Sequence, residues 1–274
     1  MTLLVAWAGI DTHGPSSAYI ASDSRISWQN GKTFDFGRKV FAFTKWPDIL
    51  GYCGDVLFPS IALNQIVDLA DAGLLFTESF SPKQKFQAIV DKLNDLFRPY
   101  PQLGTGIAEN SLGIVHCSRD PVENKKFVSN TISWSQKRGW YGEEATLPVT
   151  SDVLFALGSG AQNFLENRRR YADGPTARTS RSVFHCFCDV LAHPPDSSVG
   201  GAPQLVGLFR KPSSVAMGFG IIHERKRYFL GAHIDNLSNF EAIEWRNSNF
   251  ELCNGHTMAK FSDAQPRPDK LRRL

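Results

Sequence analysis

Residues 1–25 read MTLLVAWAGIDTHGPSSAYIASDSR, and this stretch sets both the start of the fold and its chemistry. Residues 3–7 are an apolar run, residues 11–17 a polar turn containing Gly14-Pro15, and residues 18–22 a second apolar run. Two short apolar runs about a Gly-Pro turn predict a β-hairpin that feeds a sheet. Ahead of it stands Met1-Thr2. Removal of Met1, which aminopeptidases carry out ahead of small residues, leaves Thr2 with a free α-amine. The expected mature start is therefore this one less Met1, with no inhibitory propeptide. One residue then carries a hydroxyl nucleophile and, as its own neighbour, a base with a pKa of about 8.

Working outward, residues 49–53 form a third strand-like run, after which the apolar period changes. From Val56 a helical stripe runs through Leu63, Ile66, Val67, Ala70 and Leu74; a second runs from Phe86 to Phe97, started by Ser81-Pro82 and stopped by Pro99. Strand-like runs recur at 112–116, 127–134 and 153–157. A second helical pair covers 161–171 and 180–192 and ends at Pro194-Pro195; strands return at 205–209, 215–222 and 228–232. Strands, two helices, strands, two helices, strands predict an α+β chain, a four-layer αββα sandwich with a helix pair on the outer face of each of two sheets. A doubly wound parallel sheet would alternate strand and helix singly. The tail from Asp263 to Leu274, rich in Pro and Arg, is expected to be mobile.

With 42% hydrophobic and 21% charged residues among 274, the chain has enough apolar material for a sizeable core. No run approaches the roughly 18 to 20 apolar residues of a membrane helix, and the first apolar run lacks a basic leader. A net charge of +3 is too small to imply a nucleic-acid partner; the runs Arg168 to Arg170 and 270–273 read as solvated charge. The five cysteines are odd in number and scattered among apolar neighbours, which favours reduced, buried thiols and a cytoplasmic address. Cys186 and Cys188 keep helical spacing with Val183, Phe187, Val190 and Leu191, so they are expected in a core rather than in a metal clip.

After Thr2 come Ser22-Asp23-Ser24-Arg25, Gly37-Arg38-Lys39-Val40-Phe41, Gly51-Tyr52-Cys53-Gly54-Asp55 at a strand-to-helix turn, and Leu157-Gly158-Ser159-Gly160 at another, followed by Asp196 and Gly200-Gly201 before the strand 204–209. In this order they resemble the proteasome β subunit and HslV family of N-terminal nucleophile hydrolases over roughly residues 2 to 232, in particular its bacterial branch, with HslV, Anbu and the betaproteobacterial homologue. The physical roles suit one site. A compact cation at Lys39 eases loss of the Thr2 proton, and a carboxylate at Asp23 fixes that cation. The N–H of Gly54 offers a donor for an oxyanion.

The resemblance implies a threonine-type endopeptidase with Thr2, Asp23, Lys39, Gly54, Ser159 and Asp196 in the catalytic set and no cofactor or metal. Ser159 would hydrogen-bond the amine and cap the following helix. Ile26, Tyr52 and Val56 are expected to line the side-chain pocket. The substrates would be polypeptides, the assembly two stacked rings of six or seven identical subunits, and the partner an ATPase where one is used. The family's second Ser, one residue before the late Gly-Gly, is Val199 here, and Ser198 would point elsewhere unless the loop shifts. The turn 11–17 is also longer than most of the family's. Residues 233–274 fall outside the resemblance as a C-terminal extension, whose Phe240, Ile243, Trp245, Phe250 and Leu252 would pack on a neighbour or on the chain's own body. The rival readings are a small-amide hydrolase of the same superfamily and a ring-forming scaffold of weak or no activity.

Overall fold

The computed structural model describes residues 2–28, 30–101, 112–123, 126–135, 137–194, 196–211, 215–235 and 239–264. The chain opens with β1 (Leu4–Asp11), β2 (Gly14–Ser22), the short β3 (Ile26–Ser27) and β4 (Thr33–Phe34), then β5 (Val40–Ala42) and β6 (Asp48–Cys53). Helices α1 (Leu57–Asp71) and α2 (Pro82–Phe97) follow, and then β7 (Gly113–Arg119), β8 (Phe127–Ser135), β9 (Gly139–Glu144) and β10 (Asp152–Leu157). The last part holds α3 (Ala161–Arg168), α4 (Ser180–Ala192), β11 (Gln204–Phe209), β12 (Met217–Gly218), β13 (Gly220–His223), β14 (Lys226–Phe229), β15 (Ala232–His233), β16 (Trp245–Asn247) and β17 (Leu252–Cys253).

Three five-stranded sheets result, in the orders β10, β1, β2, β11, β12, then β5, β6, β7, β8, β9, then β15, β14, β13, β16, β17; β3 and β4 pair as a separate ribbon. The period of two along β1 assigns its residues to two cores. Leu3, Val5 and Trp7 join Tyr19, Ala21 and Leu205 beneath Phe164 of α3 and Val183, Phe184 and Phe187 of α4. Leu4 and Ala6 join Ile20 and Val206 against Val40, Ile49 and Val115 of the second sheet. On that sheet's other face Phe41, Leu50, Tyr52 and Ile114 meet Leu63, Ile66, Ile89 and Leu93 of α1 and α2. No helix among the described residues is long and apolar enough to cross a membrane.

Local signals account for the helix starts. Ser81 and Gln84 form a reciprocal capping box, with the Ser81 N–H donating to Gln84 Oε1 at 3.0 Å and Pro82 in the first turn. Thr179 caps α4 through Ser182 N.

The structure departs from the sequence reading in four places. The turn expected over 11–17 shrinks to residues 12–13, because Gly14 with φ 106° lets the hairpin close and residues 15–17 pair with β1. The expected strand 215–222 divides, β12 pairing with β11 in the first sheet and β13 passing to the third. Arg168 is not simply solvated: it bridges Asp152 at 2.9 Å and Ser182 Oγ at 3.3 Å, tying α3 to β10 and α4. A domain limit at 232/233 would cut β15 in two. The segment beyond it packs on the chain's own body, β16 running parallel to β13 while Phe250 lies 5.4 Å from both Tyr19 and Phe184. Of the tail expected to be mobile, residues 265–274 lie outside the described residues. All five cysteines are buried and unbonded to one another.

Candidate active site

Thr2 stands two residues before the first sheet's β1, and Asp23 immediately follows β2, its neighbour in the hairpin. Leu3, next to Thr2, is tied to Asp23 twice: Asp23 N donates to Leu3 O at 3.2 Å, and Leu3 N donates to the side-chain Asp23 Oδ1 at 3.1 Å. The other carboxylate oxygen accepts from the N–H groups of Arg25 and Gly200, each at 3.2 Å. Lys39, at the entry to β5, donates from Nζ to Thr2 Oγ1 at 2.9 Å, to Asp23 Oδ1 at 2.9 Å and to Arg25 O at 2.5 Å. An ammonium has three donors and no acceptor, so these three partners satisfy it. Lys39 and Asp23 are wholly buried, and Thr2 is 1% exposed.

Burial pushes the Asp23 carboxyl above its ordinary value, while the Lys39 ammonium and the N–H groups of Gly200 and Leu3 pull it back. Two partners of a buried ion pair thus depend on each other for their charge. An ammonium that donates to a hydroxyl oxygen can stabilise an alkoxide there but has no lone pair to take the proton.

On the other side of Thr2, Gly160 N donates to Thr2 O at 3.2 Å. Gly158 has φ 87°, and a Cβ there would stand 2.1 Å from Thr2 O, so main chain lies against main chain where any side chain would intrude. Ser159 Oγ lies 3.3 Å from Ser198 Oγ, and Ser198 hydrogen-bonds Asp196 through its hydroxyl and, at 2.7 Å, its N–H. Burial raises the Asp196 carboxyl, but Ser198, Ser159 and the N-terminal charge together hold it below the usual carboxylate range.

Two expectations change here. Ser159 does not cap α3, whose N-cap is Gly160 with no side-chain bond. Ser198 Oγ reaches Ser159 and Asp196, while Val199 is buried in the first core and its N–H bonds back to Asp196 O at 3.3 Å.

The pocket residues divide. Tyr52 is 1% exposed, stacks on Phe41 at 6.3 Å and donates its hydroxyl to Arg38 O at 3.2 Å; burial raises its pKa. It faces α1 and α2 and lines no pocket at the site, because strand alternation places Leu50 and Tyr52 on one side of β6 and Ile49 and Cys53 on the other. The Cys53 thiol, raised to about 11 chiefly by burial, feels the charges of Lys39 and Asp23. Ile26 and Val56 are half-buried, Ile26 on β3 and Val56 at the N-cap of α1. Gly54 turns β6 toward α1 with φ 94°, and Asp55 accepts from Phe58 N at 3.2 Å, so the helix proper begins three residues after Gly54.

Two groups were given no role by the sequence, Arg25 although it stands in the motif Ser22-Asp23-Ser24-Arg25 and Gln204 because no motif marks it. Arg25 forms a bidentate pair with Asp35, at 2.7 and 2.8 Å, and donates to Ser197 O at 3.1 Å, tying the β3–β4 ribbon to the 196–201 loop. Gln204, fully buried at the first position of β11, bonds the main chain of both Asp23 and Lys39. Among the described residues no three His, Cys, Asp or Glu side chains converge as ligands for a metal ion.

No family model matches the chain, and no curated protein does. Solved structures do. An Anbu (Gly-1) mutant from Hyphomicrobium sp. strain MC1 is similar with a TM-score of 0.55 and 14% identity, over 85% of this chain and 88% of that one. Anbu, an ancestral beta-subunit, from Yersinia bercovieri gives 0.54 at 12% identity, over 78% and 86%. Eukaryotic HslV from Trypanosoma brucei gives 0.47 at 11% identity, over 75% of this chain and 99% of that one. At such identities the likeness to the two Anbu structures is one of fold.

Proposed function

We propose that this chain, which has the fold of the Anbu proteins, is a threonine-type endopeptidase with Thr2 as its N-terminal nucleophile. The observation that carries the reading is the Lys39 ammonium 2.9 Å from Thr2 Oγ1, buried and paired with Asp23. The free α-amine of Thr2 takes the proton of Oγ1 while Lys39 stabilises the developing alkoxide. Oγ1 adds to the peptide carbonyl carbon, and the N–H of Gly54 receives the oxyanion. Collapse breaks the C–N bond, the protonated amine giving its proton to the leaving amine. Water, deprotonated by the same amine, then hydrolyses the Thr2 ester and returns the free hydroxyl. Ser159, Ser198 and Asp196 orient the amine and favour its protonated form.

The finer features belong to the same proposal: a four-layer αββα sandwich, two stacked rings of six or seven subunits enclosing the sites, polypeptide substrates, an ATPase where one feeds the chamber, and a cytoplasmic address. Ser198, whose hydroxyl meets Ser159 and Asp196, supports this reading over the inactive scaffold, the case for which rests on Val199. The test is N-terminal sequencing of the purified protein, with peptide and small-amide substrates assayed on wild type, Thr2→Ala and Thr2→Ser. The expected result is loss of Met1, turnover of peptides by wild type and Thr2→Ser, and none by Thr2→Ala. Equal rates for Thr2→Ala and wild type on every substrate turned over would refute the mechanism, and turnover of small amides alone would favour the amidase.

A further inference from the structure

We infer that Gln204 is a positioning residue for this site, its carboxamide setting where the Lys39 ammonium stands against Thr2 Oγ1. The inference rests on the Thr2 reading above. Lys39 reaches Thr2 through a four-carbon stem with several rotatable bonds, so the place of Nζ depends on where the Lys39 main chain and its acceptors are held. Gln204 holds both. Its Oε1 accepts from Lys39 N at 3.1 Å, and its Nε2 donates to Asp23 O at 3.0 Å and to Gly37 O at 2.7 Å. The carboxamide can sit only one way round, since Lys39 N is a donor and the other two partners are carbonyls.

One neutral side chain therefore pins the main chain of each member of the buried ion pair and of the residue two before Lys39. Pairing of Gln204 with Ser22 across β11 and β2 fixes the base of that side chain beside Asp23. It touches the main chain behind the pair and has no bond to Thr2, so its effect on the reaction passes through Lys39. A displacement on the order of 1 Å in such a site can cost on the order of 100-fold in rate.

The test uses the full chain, mature at Thr2, with an activated peptide ester. Oγ1 displaces the ester's alcohol, which leaves with the proton, and the rate of Thr2 acylation is followed by intact mass and peptide mapping against ester concentration from pH 5 to 9. Gln204→Leu leaves Lys39 N, Asp23 O and Gly37 O unpaired, and its saturating acylation rate is expected to fall on the order of 10- to 100-fold with half-saturation changed less than about twofold. Gln204→Glu keeps an acceptor for Lys39 N but, when ionised, sets an oxygen against two carbonyls; protonated, it donates to one of them. Its rate relative to wild type is therefore expected to rise as pH falls, a change of profile that a loss of stability alone would not produce.

If wild type is acylated at Thr2 and both variants match it at every pH, the Gln204 inference is overturned while the Thr2 reading stands. Failure of both variants to fold, judged by circular dichroism, assigns Gln204 to stability and overturns it as well. Wild type that is not acylated at Thr2 overturns the nucleophile, and this inference with it.

Discussion

Lys39→Met tests the site most directly, because it removes one group with two separable jobs. Methionine fills the stem's volume but offers no donor to Thr2 Oγ1, Asp23 Oδ1 or Arg25 O, which now receive bonds of 2.9, 2.9 and 2.5 Å. Asp23 keeps only N–H donors from Leu3, Arg25 and Gly200 and stays fully buried. Removing one partner of a buried pair costs about 3–5 kcal/mol. The sign with pH follows from Asp23, whose folded pKa is already raised by burial and rises further without the ammonium. A raised folded pKa penalises the folded state above that pKa, and the penalty fades as pH falls toward the ordinary carboxylate value of about 4. Urea midpoints of wild type and variant should therefore lie far apart at pH 8 and draw together at pH 5. Thr2-dependent peptide hydrolysis should fall by about 100- to 10,000-fold at both. Adding Asp23→Asn to Lys39→Met, which removes the stranded charge, should recover about 1 kcal/mol or more of stability and none of the activity. A midpoint gap equal at the two pH values, or activity within about tenfold of wild type, would refute this account of the pair.

Other outcomes follow from single contacts. In the proposed mechanism Asp196 favours the protonated Thr2 amine, so Asp196→Asn should move the rising limb of the pH–rate profile to lower pH; a limb that stays in place or moves up would count against amine catalysis. Gly158→Ala would put a Cβ 2.1 Å from Thr2 O at φ 87°, and should abolish hydrolysis and lower the melting temperature, whereas Gly174→Ala, with no atom within 4 Å of the added Cβ, should be near neutral in both. Phe250→Ala should cost about 3–5 kcal/mol in denaturant unfolding, because that ring, 3% exposed, packs on Trp7, Tyr19 and Phe184. A cost below about 1 kcal/mol would mean that the C-terminal segment is a loose appendage.

Local and periodic signals reached far. The four helices, the opening hairpin and most strands of the first two sheets follow from apolar spacing, Ser81-Pro82 and Gly14, which act within a few residues and need no partner. The acid, cation and hydroxyl of Asp23, Lys39 and Thr2 were legible because their order resembles a known family's, and their side chains do meet. What tertiary structure alone decided lies where a side chain's direction depends on a distant surface. The family resemblance puts Tyr52 at the pocket, but the face of β6 that meets α1 and α2 is set by packing, and Tyr52 lies on it. Ser198 and Val199 exchange the expected directions because the first core takes a valine and repels a hydroxyl, which then finds Asp196 and Ser159. The short β5, β16 and β17 carry too few residues to show a period, and they become strands through pairing, β5 with β6, β16 with β13 and β17 with β16. Gln204 shows the same division: an ordinary residue at the head of a strand in sequence, it binds Lys39 from 165 residues away, a relation only the folded sheets create.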